Sequence, residues 1–258
     1  MSLFDYDWSL IWENKDALLS GLWTAAAVAL VALVISVVAG LLLAVLRTAP
    51  KPFSWIALVY INIFRGVPAL VSVIWVYFGL ALVLNIRFSV FQAGVIALSL
   101  LYSAFFAEIF RSALAAVPFG HTEAGWAVGM RSTQIFISVT LPQAIKIAMP
   151  NIGSMFIGMV KDTSTFTVIG LLEVVRVTQN LVATTFQPFV LYTAAAIIYV
   201  LAAFVIDLVF KLIESAYVRP PLGVVGRTLR ARQRTQVEKI VDRTKAGSLN
   251  TASVSTLT

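Results

Sequence analysis

The chain has 258 residues, 60% of them hydrophobic and only 12% charged. A soluble domain carries roughly 25% charged residues, so this composition excludes an ordinary soluble protein and describes an all-α integral membrane chain. The absence of Cys excludes disulfides and thiolate chemistry, a single His (His121) excludes a multi-His metal site, and no other metal site is expected.

In chain order, residues 1–20 hold Asp5, Asp7, Glu13 and Asp16 against Lys15. A secretory signal starts with positive charge, so this reads as a short N-terminal segment, not a signal. A spanning helix needs about 20 mostly apolar residues. Such runs occupy 21–46, 66–86, 88–107, 147–172 and 181–206, the last with Pro188 near its entry. Five transmembrane helices are expected, within a single domain over 21–215. The apolar stretch 52–64 is too short to span alone. It reads as the approach to the second span, bent with it, and a sixth span is the alternative. In the first run Ala32, Ser36, Gly40 and Ala44 recur every four residues, a face on which another helix can come close. Residues 216–258 form a basic tail, read as disordered and cytoplasmic. From Arg219 onward it holds eight basic residues against two acidic ones, which suits anionic lipid better than nucleic acid.

Lys and Arg orient the spans. With the C-terminus inside, the inner segments hold Arg47, Lys51, Arg111, Arg131, Lys146, Lys211 and the eight tail residues. The outer segments hold Lys15, Arg87 and Arg176. That bias places the N-terminus outside and the segment 108–146 in the cytoplasm.

That segment is too long for a structureless connection. Thr122 to Val128 can form a short helix, and Gly129 can supply the turn. Ser132 can cap a second helix running to Leu141, with Pro142 marking a boundary. The run Glu123-Ala124-Gly125-Trp126-Ala127-Val128-Gly129, nine residues, and Val139-Thr140-Leu141-Pro142 resembles the EAA loop of ABC-importer permeases. Gly125 stands where that family has Ala, and Val139 where it has Ile. Phe64-Arg65-Gly66-Val67-Pro68 with Tyr77-Phe78-Gly79, and Ala107-Glu108-Ile109-Phe110-Arg111 with Val117-Pro118, resemble the polar amino-acid (histidine, glutamate, glutamine, arginine, opine) branch of those permeases. The resemblance covers residues 15–215.

It implies a MetI-like bundle in the bacterial inner membrane that translocates polar amino acids. Glu123, Ala124, Gly125, Gly129, Leu141 and Pro142 (the loop 118–142) would dock an ATP-binding-cassette ATPase. The implied partners are two such ATPase subunits, a second permease subunit, identical or homologous, and a periplasmic amino-acid-binding protein. The chain itself needs no cofactor and is not an enzyme; ATP and Mg would be bound by the ATPase. Gly120 to Gly125 has phosphate-loop spacing, but Trp126-Ala127 replace the required Lys and Ser/Thr.

Lys161-Asp162-Thr163-Ser164 lies about 22 Å along a helix from Lys146, inside the membrane. Ionisable groups there are costly and face a cavity or a partner. Neighbours on a helix point about 100° apart and cannot pair side by side. Either the helix breaks here or the groups face a polar lumen. A zwitterion offers a carboxylate to Lys161 and an ammonium to Asp162, and this tetrapeptide is also typical of the family. The residues are therefore expected to line a substrate path, and the alternative is an interhelical ion-pair network. Arg65, beside Gly66 and Pro68, joins them as a path candidate or bonds the carbonyls that Pro68 frees. Glu108 and Arg111, three apart on one face, read as an ion pair. The rival reading is an ion-coupled secondary transporter of a small polar solute.

Overall fold

The computed structural model describes residues 6–217; the tail expected from residue 216 lies outside them from position 218 onward. Residues 1–214 form one compact unit, and the packing that follows lies within it. A short helix α1 (Ser9–Glu13) precedes α2 (Lys15–Leu46). Next come α3 (Phe53–Gly66) and α4 (Ala69–Ile74), which runs through a π-helical turn Trp75–Leu80 into α5 (Ala81–Leu84). Then follows α6 (Val90–Ala115). A hairpin of α7 (Phe119–Ala127) and α8 (Ser132–Ile135) continues through a second π turn, Phe136–Thr140, into α9 (Leu141–Asp162). A 3₁₀ segment Thr163–Ile169, α10 (Val174–Thr185) and α11 (Pro188–Tyr217) complete the described chain. Four of these stretches are long and apolar enough to cross a membrane: α2, α6, Ser132–Ile169 and Pro188–Ser215.

Close contacts reveal how they run. A Cβ on Gly40 would stand 2.5 Å from Phe106 Cβ and 3.0 Å from the Ala107 nitrogen, while one on Gly94 would stand 3.3 Å from Val28. Residues 28 to 40 thus follow residues 94 to 106, so α2 and α6 are parallel. Two parallel spans require one return crossing between them. The bent pair Phe53–Gly66 and Ala69–Leu84, 109° apart, supplies it. This is the bent helix expected around 52–86, with its corner at Val67 and Pro68, both extended. A residue before Pro avoids the α region, which sets that corner. Tyr102 sits over Gly158 and Phe166 over Gly94, so α9 runs antiparallel to α6. Phe210 over Gly153 and Tyr199 against Glu173 turn α11 antiparallel to α9. Counted this way the chain makes five crossings.

The core gathers around α6. In its apolar stretch 72% of residues are buried, against 33%, 22% and 22% in the other three. Lipid tails are as apolar as Leu, so helices associate here by close packing of small residues. The four-residue repeat Ala32, Ser36, Gly40 and Ala44 is buried, and it extends upstream through Gly21, Ala25 and Ala29. Arg47 closes the α2–α6 seam with an ion pair to Glu108 at 2.8 Å, and Arg111 pairs with the same carboxylate.

Two element boundaries differ from expectation. Pro142 ends nothing: it occupies the first turn of α9, where a missing N–H costs little, and Gln143 Nε2 donates to the Val139 carbonyl at 3.0 Å. The last long helix starts at Pro188, not 181. Leu181 to Thr185 belong to α10, which ends at Phe186 in the left-handed region (φ +57°). Apolar runs do not disclose such a corner.

Backbone at 3.0 Å cannot yield as a side-chain tip can. Gly40→Leu is therefore expected to cost at least 1–3 kcal/mol, roughly the range for overpacking. Gly66, with nothing near its missing Cβ, should accept Ala within about 0.5 kcal/mol. Thermal unfolding of both variants in detergent checks the pair.

Candidate functional site

The α7–α8 hairpin is a rigid, side-chain-presenting turn. Gly129 takes φ +79° with no atom near its missing Cβ, so it is glycine for conformation, not for space. Met130 N–H donates to the Gly125 carbonyl and Gly129 N–H to the Trp126 carbonyl, both at 3.0 Å. This paired closure caps the end of α7. Ser132 is the first residue of α8 and not its cap; Gln134 Oε1 reaches back to the Arg131 N–H at 2.9 Å.

The expected docking residues divide into two groups. Glu123, Ala124 and Pro142 are exposed, and Leu141 is half-buried. Gly125 is buried beneath Ile135, whose Cγ1 would lie 2.7 Å from an added Cβ. Gly125 lets the two arms of the hairpin close. Its departure from Ala has a local reason in the bulk of Ile135. Exposed apolar groups that motif spacing does not single out flank Glu123. Phe119 (63% exposed) stacks edge-on against Trp126 (49%), and Val128 is 76% exposed. Their signal in the sequence is apolar side chains on a short helix with polar surroundings.

The second cluster lies where α9 tightens into the 3₁₀ segment, between Asp162 and Thr163. Here the helix tightens its winding but is not broken: Ser132–Ile169 stays one helical stretch. Asp162 is half-buried and accepts a hydrogen bond from the Tyr102 hydroxyl at 2.9 Å. Lys161 is exposed and makes no ion pair among the described residues. Thr163 is fully buried and donates to the Val160 carbonyl at 2.7 Å. Ser164 is half-buried.

Arg65 does not bond the carbonyls around Pro68 in any described contact. Its guanidinium lies over Phe105, 6.0 Å from the ring centroid. Phe105 is 5.8 Å from Tyr102. Two aromatic rings of α6 thereby link Arg65 to Asp162, two residues 97 positions apart that the sequence analysis grouped by charge alone. Tyr102, Phe105 and Gly158 escaped it. An aromatic in an apolar helix looks like core, and only packing shows that the Tyr102 hydroxyl fills the space where a Gly158 Cβ would lie (2.9 Å).

Residues 36–219 match the family described as binding-protein-dependent transport system inner membrane component. The chain belongs to that family. This permease is 33% identical over 219 residues to the glutamine transport system permease protein GlnP of Escherichia coli K12, covering 81% of its own length and 96% of that relative. It is 32% identical over 210 residues to the L-cystine transport system permease protein TcyB of Bacillus subtilis 168 (80% and 89%). Its fold superposes on a chain of the crystal structure of an amino acid ABC transporter with histidines, TM-score 0.77 at 30% identity, with 83% and 100% coverage. The inward-facing MetNI methionine transporter shares the fold at TM-score 0.69 and 22% identity. The permease is thus a multi-pass inner-membrane component of an ABC importer, as the resemblance implied, and not an ion-coupled carrier.

Two substitutions probe the packing found here. Gly125→Ala should loosen the hairpin by about 1–2 kcal/mol through its clash with Ile135, and Ile135→Ala in the same chain should restore it; protease sensitivity of the loop reads both. Gly158→Ala should displace the Tyr102 hydroxyl from Asp162. Losing a hydrogen bond to a charged group is worth about 1.5–3 kcal/mol, so uptake by the assembled transporter should fall about tenfold or more, as it should for Tyr102→Phe.

Proposed function

We propose that this chain is the membrane-spanning subunit of an ATP-driven importer of polar amino acids, with its N-terminus outside and its C-terminus in the cytoplasm. The observation that carries this reading is the capped α7–α8 hairpin. It presents Glu123, Ala124 and the Phe119–Trp126 pair, and it continues through α8 into the helix that ends at Asp162. The names of the relatives (glutamine, cystine and arginine permeases) support amino acids as the substrate class.

In this reading two ATPase subunits supply the energy and bind ATP and Mg, while this chain carries no ATPase site. Two permease subunits, identical or homologous, enclose the path, and a periplasmic binding protein delivers the solute. Glu123 and Ala124 seat α7 in the ATPase, with Phe119 and Trp126 as apolar anchors. Gly125, Gly129 and Leu141 shape the loop, and Pro142 lies on its exposed side. Asp162 offers a carboxylate for the substrate ammonium, and Lys161 and Ser164 line the same stretch. Arg65 serves the substrate carboxylate. It is the penultimate residue of α3, beside the bend that leads into α4. Thr163 holds the junction from behind. When the ATPases close on ATP they draw the hairpin with them. The continuous helix from Ser132 to Asp162 carries that motion to the path.

The test is the complete transporter in proteoliposomes. Uptake of labelled L-glutamine, L-cystine and L-arginine should require ATP on the ATPase side and persist when ionophores collapse the ion gradients. Gly129→Val should abolish it and remove the ATPase from the purified complex, because a β-branched residue is strained at φ +79°. Asp162→Asn should retain the ATPase and lose uptake. Ionophore-sensitive uptake without ATP would refute the assignment.

A further inference from the structure

The corner between the second crossing and α6 is built from two closed helix ends. Asn85 ends α5 in the left-handed region (φ +52°), and the Ile86 N–H donates to the Ala81 carbonyl at 3.0 Å. Ser89 and Gln92 then cap α6 reciprocally. The Gln92 N–H donates to Ser89 Oγ at 3.2 Å, and the Ser89 N–H to Gln92 Oε1 at 2.9 Å. Ile86, Arg87 and Phe88 are held between these two ends. Because the corner joins two crossings, it stands at a membrane surface, the one opposite the α7–α8 hairpin to which α6 leads.

Two hollows meet at this corner. The first, about 480 Å³, is mixed: Tyr77, Phe78 and Leu82 line it together with Asn85 and Arg87. The second, about 310 Å³, is apolar, lined by Val31 of α2 and by Phe91, Val95 and Ile96 of α6; its polar member, Gln92, is engaged in the cap. Phe88 lines both. From Phe88 to Ile96 the groove follows α6 for about 12 Å at 1.5 Å per residue. One leaflet contributes about 15 Å, half of the hydrocarbon core, so the groove has the length of an acyl chain lying in that leaflet.

Arg87 is the charged side chain of this cleft. It is exposed and makes no ion pair among the described residues. No Asp or Glu occurs between Asp16 and Glu108, so α3, α4, α5 and the adjoining turns of α2 and α6 hold no carboxylate for it. A guanidinium matches a phosphate bidentately, and basic pockets at a membrane surface attract anionic headgroups. We propose that this cleft binds one anionic phospholipid, its phosphate on Arg87 and an acyl chain in the groove between α2 and α6. A soluble anion would leave the groove unused, and a neutral lipid would leave the charge of Arg87 uncompensated. The exposed Phe78 and Leu82 flank the charged end with apolar surface suited to the second chain.

The test is the complete transporter, purified in detergent and stripped of lipid. Phosphatidylglycerol, phosphatidylcholine or inorganic phosphate is added back, and native mass spectrometry and thermal unfolding are recorded. Each permease chain should retain one phosphatidylglycerol at about tenfold lower concentration than phosphatidylcholine and unfold at a higher temperature with it; inorganic phosphate should do neither. Arg87→Gln should weaken phosphatidylglycerol about tenfold or more, as for the loss of a charge-assisted hydrogen bond, and bring it level with phosphatidylcholine. Val31→Trp, at an exposed position of the groove, should weaken both lipids by blocking the chain. Both positions are on the surface, so both variants should assemble as wild type does. Equal retention of the two lipids by wild type overturns the proposal, and so does unchanged phosphatidylglycerol retention in either variant. Stabilisation by inorganic phosphate to the same extent assigns Arg87 to a soluble anion and also overturns it. Loss of the second permease subunit from Arg87→Gln, with lipid retention unchanged, makes the cleft a protein contact and overturns it as well.

Discussion

Hydrocarbon offers no hydrogen bonds, so every backbone N–H and C=O at membrane depth must be bonded within the protein or face a polar cavity. Each irregularity in this bundle is shaped by that constraint. Val67 and Pro68 bend the second crossing by 109°, and Arg65 stands beside the bend. In the 3₁₀ segment after Asp162, Thr163 Oγ1 donates to the Val160 carbonyl and Thr167 Oγ1 to Gln179 of α10. Uninterrupted helix carries lipid-facing Leu, Val and Ile; interrupted helix carries the polar groups.

Close packing brings those breaks together. Gly40 lets α2 touch the backbone of α6, Gly153 admits the Phe210 ring, and Gly158 leaves room for the Tyr102 hydroxyl. With no hydrophobic drive between helices in lipid, such contacts gain dispersion energy in proportion to how near the backbones come. The same closeness gives Tyr102 its reach to Asp162. A glycine that looks like a packing device thus also leaves room for the Tyr102–Asp162 hydrogen bond.

The α7–α8 hairpin and Asp162 lie at the two ends of one helical stretch. From Ser132 to Asp162 the helix is continuous through one π turn, about 46 Å at 1.5 Å per residue. Pro142 and Pro150 lie along it without interrupting it. A rod of this kind transmits displacement, whereas a broken helix would absorb it. The α7–α8 turn, closed by two backbone hydrogen bonds and the Gly125–Ile135 contact, is correspondingly stiff.

The sequence by itself determined the class, the helices and the loop. Apolar runs of spanning length, the four-residue repeat of small side chains and the Glu123–Pro142 spacing are local patterns, and local patterns are legible one residue after another. It also marked Arg65 and Asp162 as unusual, because charge in an apolar run is visible without a fold. It misplaced two boundaries, at Pro142 and at 181. A π turn and a left-handed Phe186 leave no compositional trace. Only the tertiary structure decided that α2 and α6 run parallel, that Thr163 and Gly125 face inward, that Tyr102 bonds Asp162 over Gly158 while Phe105 lies against Arg65, and that Glu173 bonds Tyr199. Each of those depends on which side chain of one helix fills the space left by another, a distance of a few ångströms between residues far apart in the chain. No period or motif in the sequence encodes that distance.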